Sequence, residues 1–197
     1  MDLGKNIFNA FNVVAKTHKN IKKFLEYCIT LSRTNDEYEL ITPKFLRWKS
    51  DKDCFAWNLT NIVLLFQNKK DSKLKNGYYK GAVYVLEINL YDPEIYDEPK
   101  VNIAKYDYNN IEKWSSVKIS PADHWRIVHP LYNRYQKIEY IENENSYEGE
   151  VIESEIPFVD NNWWGLRKIK GMTLNLKDIN NENVNEMVFE NFKKLDD

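Results

Sequence analysis

Hydrophobic periodicity changes twice along this chain, and the change leaves few architectures open. Apolar residues recur at helical intervals through residues 5–32, at extended intervals through 38–176, and at helical intervals again through 184–195. Helical ends with one greasy side must dock on the sheet built by the middle of the chain. The expectation is an α+β fold: a mostly antiparallel, curved sheet flanked by two N-terminal helices, a short helix near 120–128 and a C-terminal helix. No repeat or low-complexity linker interrupts the 197 residues, so a single domain over 1–197 is expected.

At the N-terminus, Ile7, Phe8, Phe11, Val14 and Ala15 share a helical stripe, and Thr17 offers a cap for a second helix over 18–32 that buries Ile21, Phe24, Leu25, Cys28 and Ile29. Thr34-Asn35-Asp36 is the predicted stop. Extended segments are then predicted at 38–42, 45–49 and 55–67. The clearest strand is 81–91, with Tyr84, Leu86, Ile88 and Leu90 on one face and Val83, Val85, Glu87, Asn89 and Tyr91 on the other. A loop rich in proline and acid follows, and 101–108 returns as its antiparallel partner. Ser120-Pro121-Ala122-Asp123 carries a capping serine, a first-turn proline and an acid three residues on, which together start a helix that Pro130 is expected to stop. Strands are predicted at 137–142, 149–156 and 163–176, the last interrupted by Gly165 and Gly171, where bulges or close backbone contacts are expected.

Composition narrows function by exclusion. The longest apolar run, Ile62-Val63-Leu64-Leu65-Phe66, is far below the roughly 20 residues that span a bilayer, so no membrane partner is expected. The N-terminus lacks the pattern of a secretory signal, and a cytoplasmic location follows as an expectation. Cys28 and Cys54 have no neighbouring cysteine, and Cys28 falls on an apolar helix face. With only 6 glycines and no phosphate-binding loop motif, nucleotide sites built from backbone amides are disfavoured, and no cofactor is expected. Net charge is −2 but uneven: residues 1–80 hold 15 Lys/Arg against 8 Asp/Glu, the remainder 13 against 22, leaving +7 and −9. Such asymmetry suits a basic binding face or two surfaces that attract.

Three constellations are candidates for chemistry. Asp123-His124-Trp125-Arg126-Ile127-Val128-His129 brings two of the three histidines close in sequence, but a spacing of five turns them about 140° apart on a helix, unsuited to gripping one metal. His124, His129 and Asp123 are therefore weak acid-base candidates. The acids Glu87, Asp92, Glu94, Asp97, Glu98 and Asp107 surround the predicted hairpin with Lys105, but Lys105-Tyr106-Asp107 reverses the acid-x-lysine order of metal-dependent nucleases, and a solvated loop with ion pairs is the simpler reading.

The third constellation is aromatic. The 6 Trp, 13 Tyr and 9 Phe supply rings for contacts: neighbouring strand residues Trp163 and Trp164 point to opposite faces, with Arg167 close by, and Arg47-Trp48-Lys49 sets cations beside a ring. The favoured expectation is a non-catalytic interaction module using an aromatic-rich sheet surface, with a protein partner or a second copy as its target. The alternatives are a nucleic-acid-binding protein using Arg47, Trp48, Lys49 and the lysines of residues 69–75, and a metal-dependent hydrolase or nuclease.

Overall fold

The computed structural model describes residues 2–34, 36–52, 54–114 and 119–196. Its centre is a seven-stranded antiparallel sheet, open at both edges, in the order β1-β2-β3-β4-β7-β6-β5. The strands are β1 (Tyr38–Leu40), β2 (Asn61–Asn68), β3 (Val83–Asn89), β4 (Lys100–Tyr108), β5 (Ile138–Glu142), β6 (Ser146–Val151) and β7 (Leu166–Asn175). The first four form a meander. The chain then crosses one face, builds β5 at the far edge, and returns through β6 to β7, which closes the gap beside β4. Gly171 makes that closure tight: any side chain there would meet the Tyr147 ring at 2.5 Å. Gly165 enters β7 from a turn with φ +79, a conformation that favours glycine.

Both faces of the sheet are covered, because the central strands are apolar on both sides. Alternation along β3 and β4 divides the residues as the sequence predicts. Tyr84, Leu86, Ile88, Val101 and Ile103 face one core, while Val83, Val85, Ala104 and Tyr106 face the other. The first core is sealed by α1 (Leu3–Thr34), through Ile21, Phe24, Leu25 and Cys28, and by the C-terminal segment, through Val184, Val188, Phe189, Phe192 and Leu195. Burial holds the Cys28 thiol unreactive, its pKa pushed up to about 12. The second core is covered by the 3₁₀ turn Pro121–His124 running into α2 (Trp125–Leu131), and by α3 (Ile156–Asn162). Among the described residues no helix is long and apolar enough to cross a membrane.

Several expectations need correction. One continuous helix, α1, replaces the two predicted over 5–32. Thr17 caps nothing, since no glycine or proline interrupts residues 5–34 and the apolar stripe keeps its phase through residue 17. Of the helix's predicted stop, Asn35 lies outside the described residues. Segment 45–49 contributes a single bridge, Leu46 to Val63, and residues 54–57 form a 3₁₀ turn before β2 begins. Pro130 lies within the last turn of α2, where it forfeits one backbone bond and the helix ends a residue later. The C-terminal element is a π-helical turn, Asn185–Glu190, followed by α4 (Asn191–Lys194). α3 fills the gap between the strands predicted at 149–156 and 163–176, where the sequence reading names no helix.

Candidate functional site

The second core is not apolar throughout. At the end of the sheet where β2 begins and β3 ends, its strands place Asn61, Glu87, Asn89, Asn102 and Thr173 side by side. Register makes the row: Glu87 pairs with Asn102, Asn102 with Thr173, and Asn61 with Asn89. Glu87 is fully buried, a location a carboxylate tolerates only when hydrogen-bonded. Asn102 Nδ2 donates to its Oε2 at 2.6 Å, the Tyr132 hydroxyl donates to Oε1 at 3.0 Å, and Asn61 Nδ2 also donates to Oε1. Tyr132 arrives from the end of α2 and accepts from Asn89 Nδ2 at 2.9 Å, while Thr173 Oγ1 donates to Asn102 Oδ1 at 2.7 Å. Burial lifts the Glu87 carboxyl from 4.5 to about 7, because its three donors offset only part of the desolvation.

The network fixes a histidine. Asn61 turns its amide nitrogen to the carboxylate, so its oxygen accepts from His124 Nε2 at 2.8 Å, and the His124 proton sits on Nε2. Burial, then repulsion from His129 when that ring is protonated and from Arg134, lowers the His124 pKa from 6.5 to about 4. His129 is lowered as well, by burial and by Arg134. Both rings are neutral at pH 7. A group with a pKa near 4 is a weak general base there, so His124 is better suited to hydrogen bonding than to proton abstraction.

In front of this network open two adjoining cavities. One, of about 230 Å³, is lined by Trp48, Asn61, Asn89, Tyr91, Asp92, His124, Tyr132 and Arg134. The other, of about 300 Å³, is lined by Arg47, Trp48, Lys49, Trp125, His129 and Arg134 and shares His124 and Val128 with the first. Segment 46–49 is held over them by the Leu46 bridge to Val63 and by Arg47 N–H donating to the Pro121 carbonyl at 3.2 Å. Trp48 stays 42% exposed at the shared rim. Arg134 pairs with Asp92 at 3.3 Å, whereas among the described residues no carboxylate engages Arg47 or Lys49.

The structure therefore gathers Arg47, Trp48, Lys49, His124 and His129, candidates from two segments far apart in sequence, around one opening. Asp123 stands beside it and holds the helix start in place. Its carboxylate accepts from Ser120 N–H at 2.8 Å, as the capping signal predicts, and pairs with Arg126 at 3.4 Å. The other candidates lie elsewhere. Trp163 is enclosed in the second core and offers no surface. Trp164 packs on Trp114 and under the Arg126 guanidinium, and Arg167 pairs with Asp160 at 2.8 Å. The lysines of residues 69–75 sit at the opposite end of β2 from Arg47, where Lys70 and Lys73 pair with Glu37 and Glu39. They do not extend the basic rim.

Nor do the hairpin acids converge. Glu98 pairs with Lys100 and Lys177, Lys105 pairs with Asp196, and Glu87 is buried within the sheet. Among the described residues no three His, Cys, Asp or Glu side chains are placed to hold a metal ion.

Sequence reasoning misses Asn61, Asn89, Asn102, Tyr132, Arg134 and Thr173 as site residues and reads Glu87 as a solvated acid. A signal exists: Glu87 and Asn89 continue the face of Val83 and Val85 in a strand apolar on both sides, so each needs a polar partner on the next strand. Asn102, in the predicted return strand, is that partner. The chain matches no known family model, no curated protein and no solved structure.

Proposed function

We propose that this chain is a non-catalytic binding protein whose paired cavities take a phosphorylated ring compound: a nucleotide, free or as part of a single strand. The observation that carries the reading is the meeting of Arg47, Lys49 and Trp48 with His124 and His129 at one rim. Arg47 and Lys49 supply charge for a phosphate, and the half-exposed Trp48 ring supplies a stacking surface that tolerates any base. Neutral His124 and His129 add hydrogen-bonding edges without repelling a cationic ring edge, and the His129 Nδ1 is buried without a partner. One cavity lies below and the other at the ~300 Å³ lower bound of small-ligand pockets, and joined they fall within the range.

Calorimetric titration with adenosine monophosphate and with a short single-stranded oligonucleotide tests the reading. Affinity should fall as salt rises, because phosphate contacts release counterions. Trp48→Ala and the pair Arg47→Ala, Lys49→Ala should each weaken binding about tenfold or more. Heat from the oligonucleotide alone makes the strand the ligand, and heat from both makes the nucleotide sufficient. Silence from both at low salt ends the proposal.

A further inference from the structure

The longest element of the chain is only half used. In α1, every residue of 2–17 is exposed, and the first contact of the helix with the body of the chain, counted from its N-terminus, is His18, whose Nε2 lies 3.0 Å from the Leu59 carbonyl. The overhang is about 24 Å at 1.5 Å per residue. It is not polar: Phe8 is 72% and Phe11 67% exposed, and Leu3, Ile7 and Val14 are exposed with them. At about 100° per residue, Leu3, Ile7 and Val14 fall in the same sector, about 60° wide, as the buried Ile21, Leu25 and Cys28, with Phe11 about 40° beyond its edge. The stripe that seals the first core thus continues past it, uncovered. Ile7, Val14, Ile21 and Cys28 recur every seventh residue, the spacing of a seam that packs on another helix.

From this geometry we infer that the occupant is a second copy of the chain, its own overhang laid antiparallel along this one. The direction follows from sterics. The exposed stripe points to the side where the chain's own core covers the rest of α1, so a parallel pair would drive the two cores into one volume. An antiparallel pair sets them at opposite ends. A flat bilayer on that side is blocked by the core in the same way.

The dyad then falls near Ala10, whose small side chain allows close approach, with Ile7 of one copy opposite Val14 of the other. Lys5, Lys16, Lys19 and Lys23 point away from the seam into water. The tip of each helix reaches the step beside Leu59, where Trp57 is 71% exposed and offers it a surface. Leu3, Ile7, Phe11 and Val14 expose on the order of 450 Å² per chain, so two copies cover roughly 900 Å², the range of weak, concentration-dependent interfaces, while Phe8 lies outside the seam.

Sedimentation of the full chain from about 1 to 100 μM tests this. A concentration-dependent dimer is expected, and the pair Ile7→Asp, Phe11→Asp should weaken it more than about 100-fold. At concentrations where both chains are monomeric, the melting of the core should not move in that variant, because these side chains do not reach the core. Under mild oxidation, Ala10→Cys in a Cys54→Ser background should give a covalent dimer, and Leu3→Cys in the same background should not. A chain monomeric at the highest concentration overturns the inference. So does a dimer indifferent to the aspartates, efficient cross-linking through Leu3→Cys, or a monomer that co-sediments with vesicles of phosphatidylserine and phosphatidylcholine.

Discussion

The two faces of the sheet bury comparable sets of β-branched and aromatic residues, yet they differ in kind. The face under α1 and the C-terminal segment is apolar through its centre, with the Tyr38, Phe66, Tyr84, Phe189 and Phe192 rings packed edge to face and tilted on one another, and polar only at one end, where the Tyr84 hydroxyl donates to Asp196 and Lys105 pairs with the same carboxylate. The opposite face has an apolar half and, at the end where β3 leaves the sheet, a row of amides around one buried carboxyl. The first arrangement tolerates neighbours of similar shape, and its ring cluster holds no group that titrates near neutrality. The second demands specific partners, titrates near neutrality, and forms the back wall of the only surface where the candidate binding residues meet among the described residues. On the proposed reading, the departure from the apolar pattern inside this sheet marks the binding end of the molecule.

The contrast can be broken most forcefully at Glu87. Glu87→Leu strips the acceptor from Asn61, Asn102 and Tyr132 and leaves three buried donors, a loss of about 3–5 kcal/mol by denaturant unfolding at pH 7. Phe192→Ala on the other face should cost a similar ~3–5 kcal/mol through its cavity, with a shortfall that stays constant across pH.

The pH dependence sharpens the comparison. Glu87 holds its proton more tightly folded than unfolded, so between about pH 4.5 and 7 the folded protein carries the extra proton and stability falls as pH rises. Glu87→Gln should remove a fall of about 3 kcal/mol across that window. His124 acts in the opposite sense. Its folded pKa is depressed, the unfolded chain binds the extra proton between about pH 4 and 6.5, and stability rises with pH through that interval. Between about pH 4.5 and 6.5 the two contributions oppose each other, so His124→Gln should unmask the Glu87 fall and Glu87→Gln should unmask the His124 rise. The smallest effect is expected at Thr173→Val, which removes one donor from Asn102 and should cost about 1 kcal/mol.

Periodicity reveals most of the sheet, because a strand buried on both faces is written in every residue. The helix start at Ser120 is equally legible, since capping chemistry is local. Thr17 misleads because a residue able to cap does so only where the helix is otherwise interrupted, and the stripe from Ile7 to Cys28 is not. The site is less legible. Arg47, Trp48 and Lys49 stand out as a cluster, but their meeting with His124 and His129 is a product of tertiary structure alone. No motif singles out Asn61, Asn89 and Asn102, whose role appears only once strand register sets them around Glu87. The sequence points to Trp163 and Trp164 for an exposed indole, although the rings left in water are Trp48 and Trp57.

The most direct measurement is nitrogen-15 spectroscopy of the imidazole rings, which is tractable because the chain has 3 histidines. In a titration with adenosine monophosphate at pH 7, the signals of His124 and His129 should both report neutral rings and shift with ligand, while His18, in α1 where the overhang ends, stays still. Unmoved signals from His124 and His129 alongside demonstrable binding would place the ligand elsewhere and contradict the account.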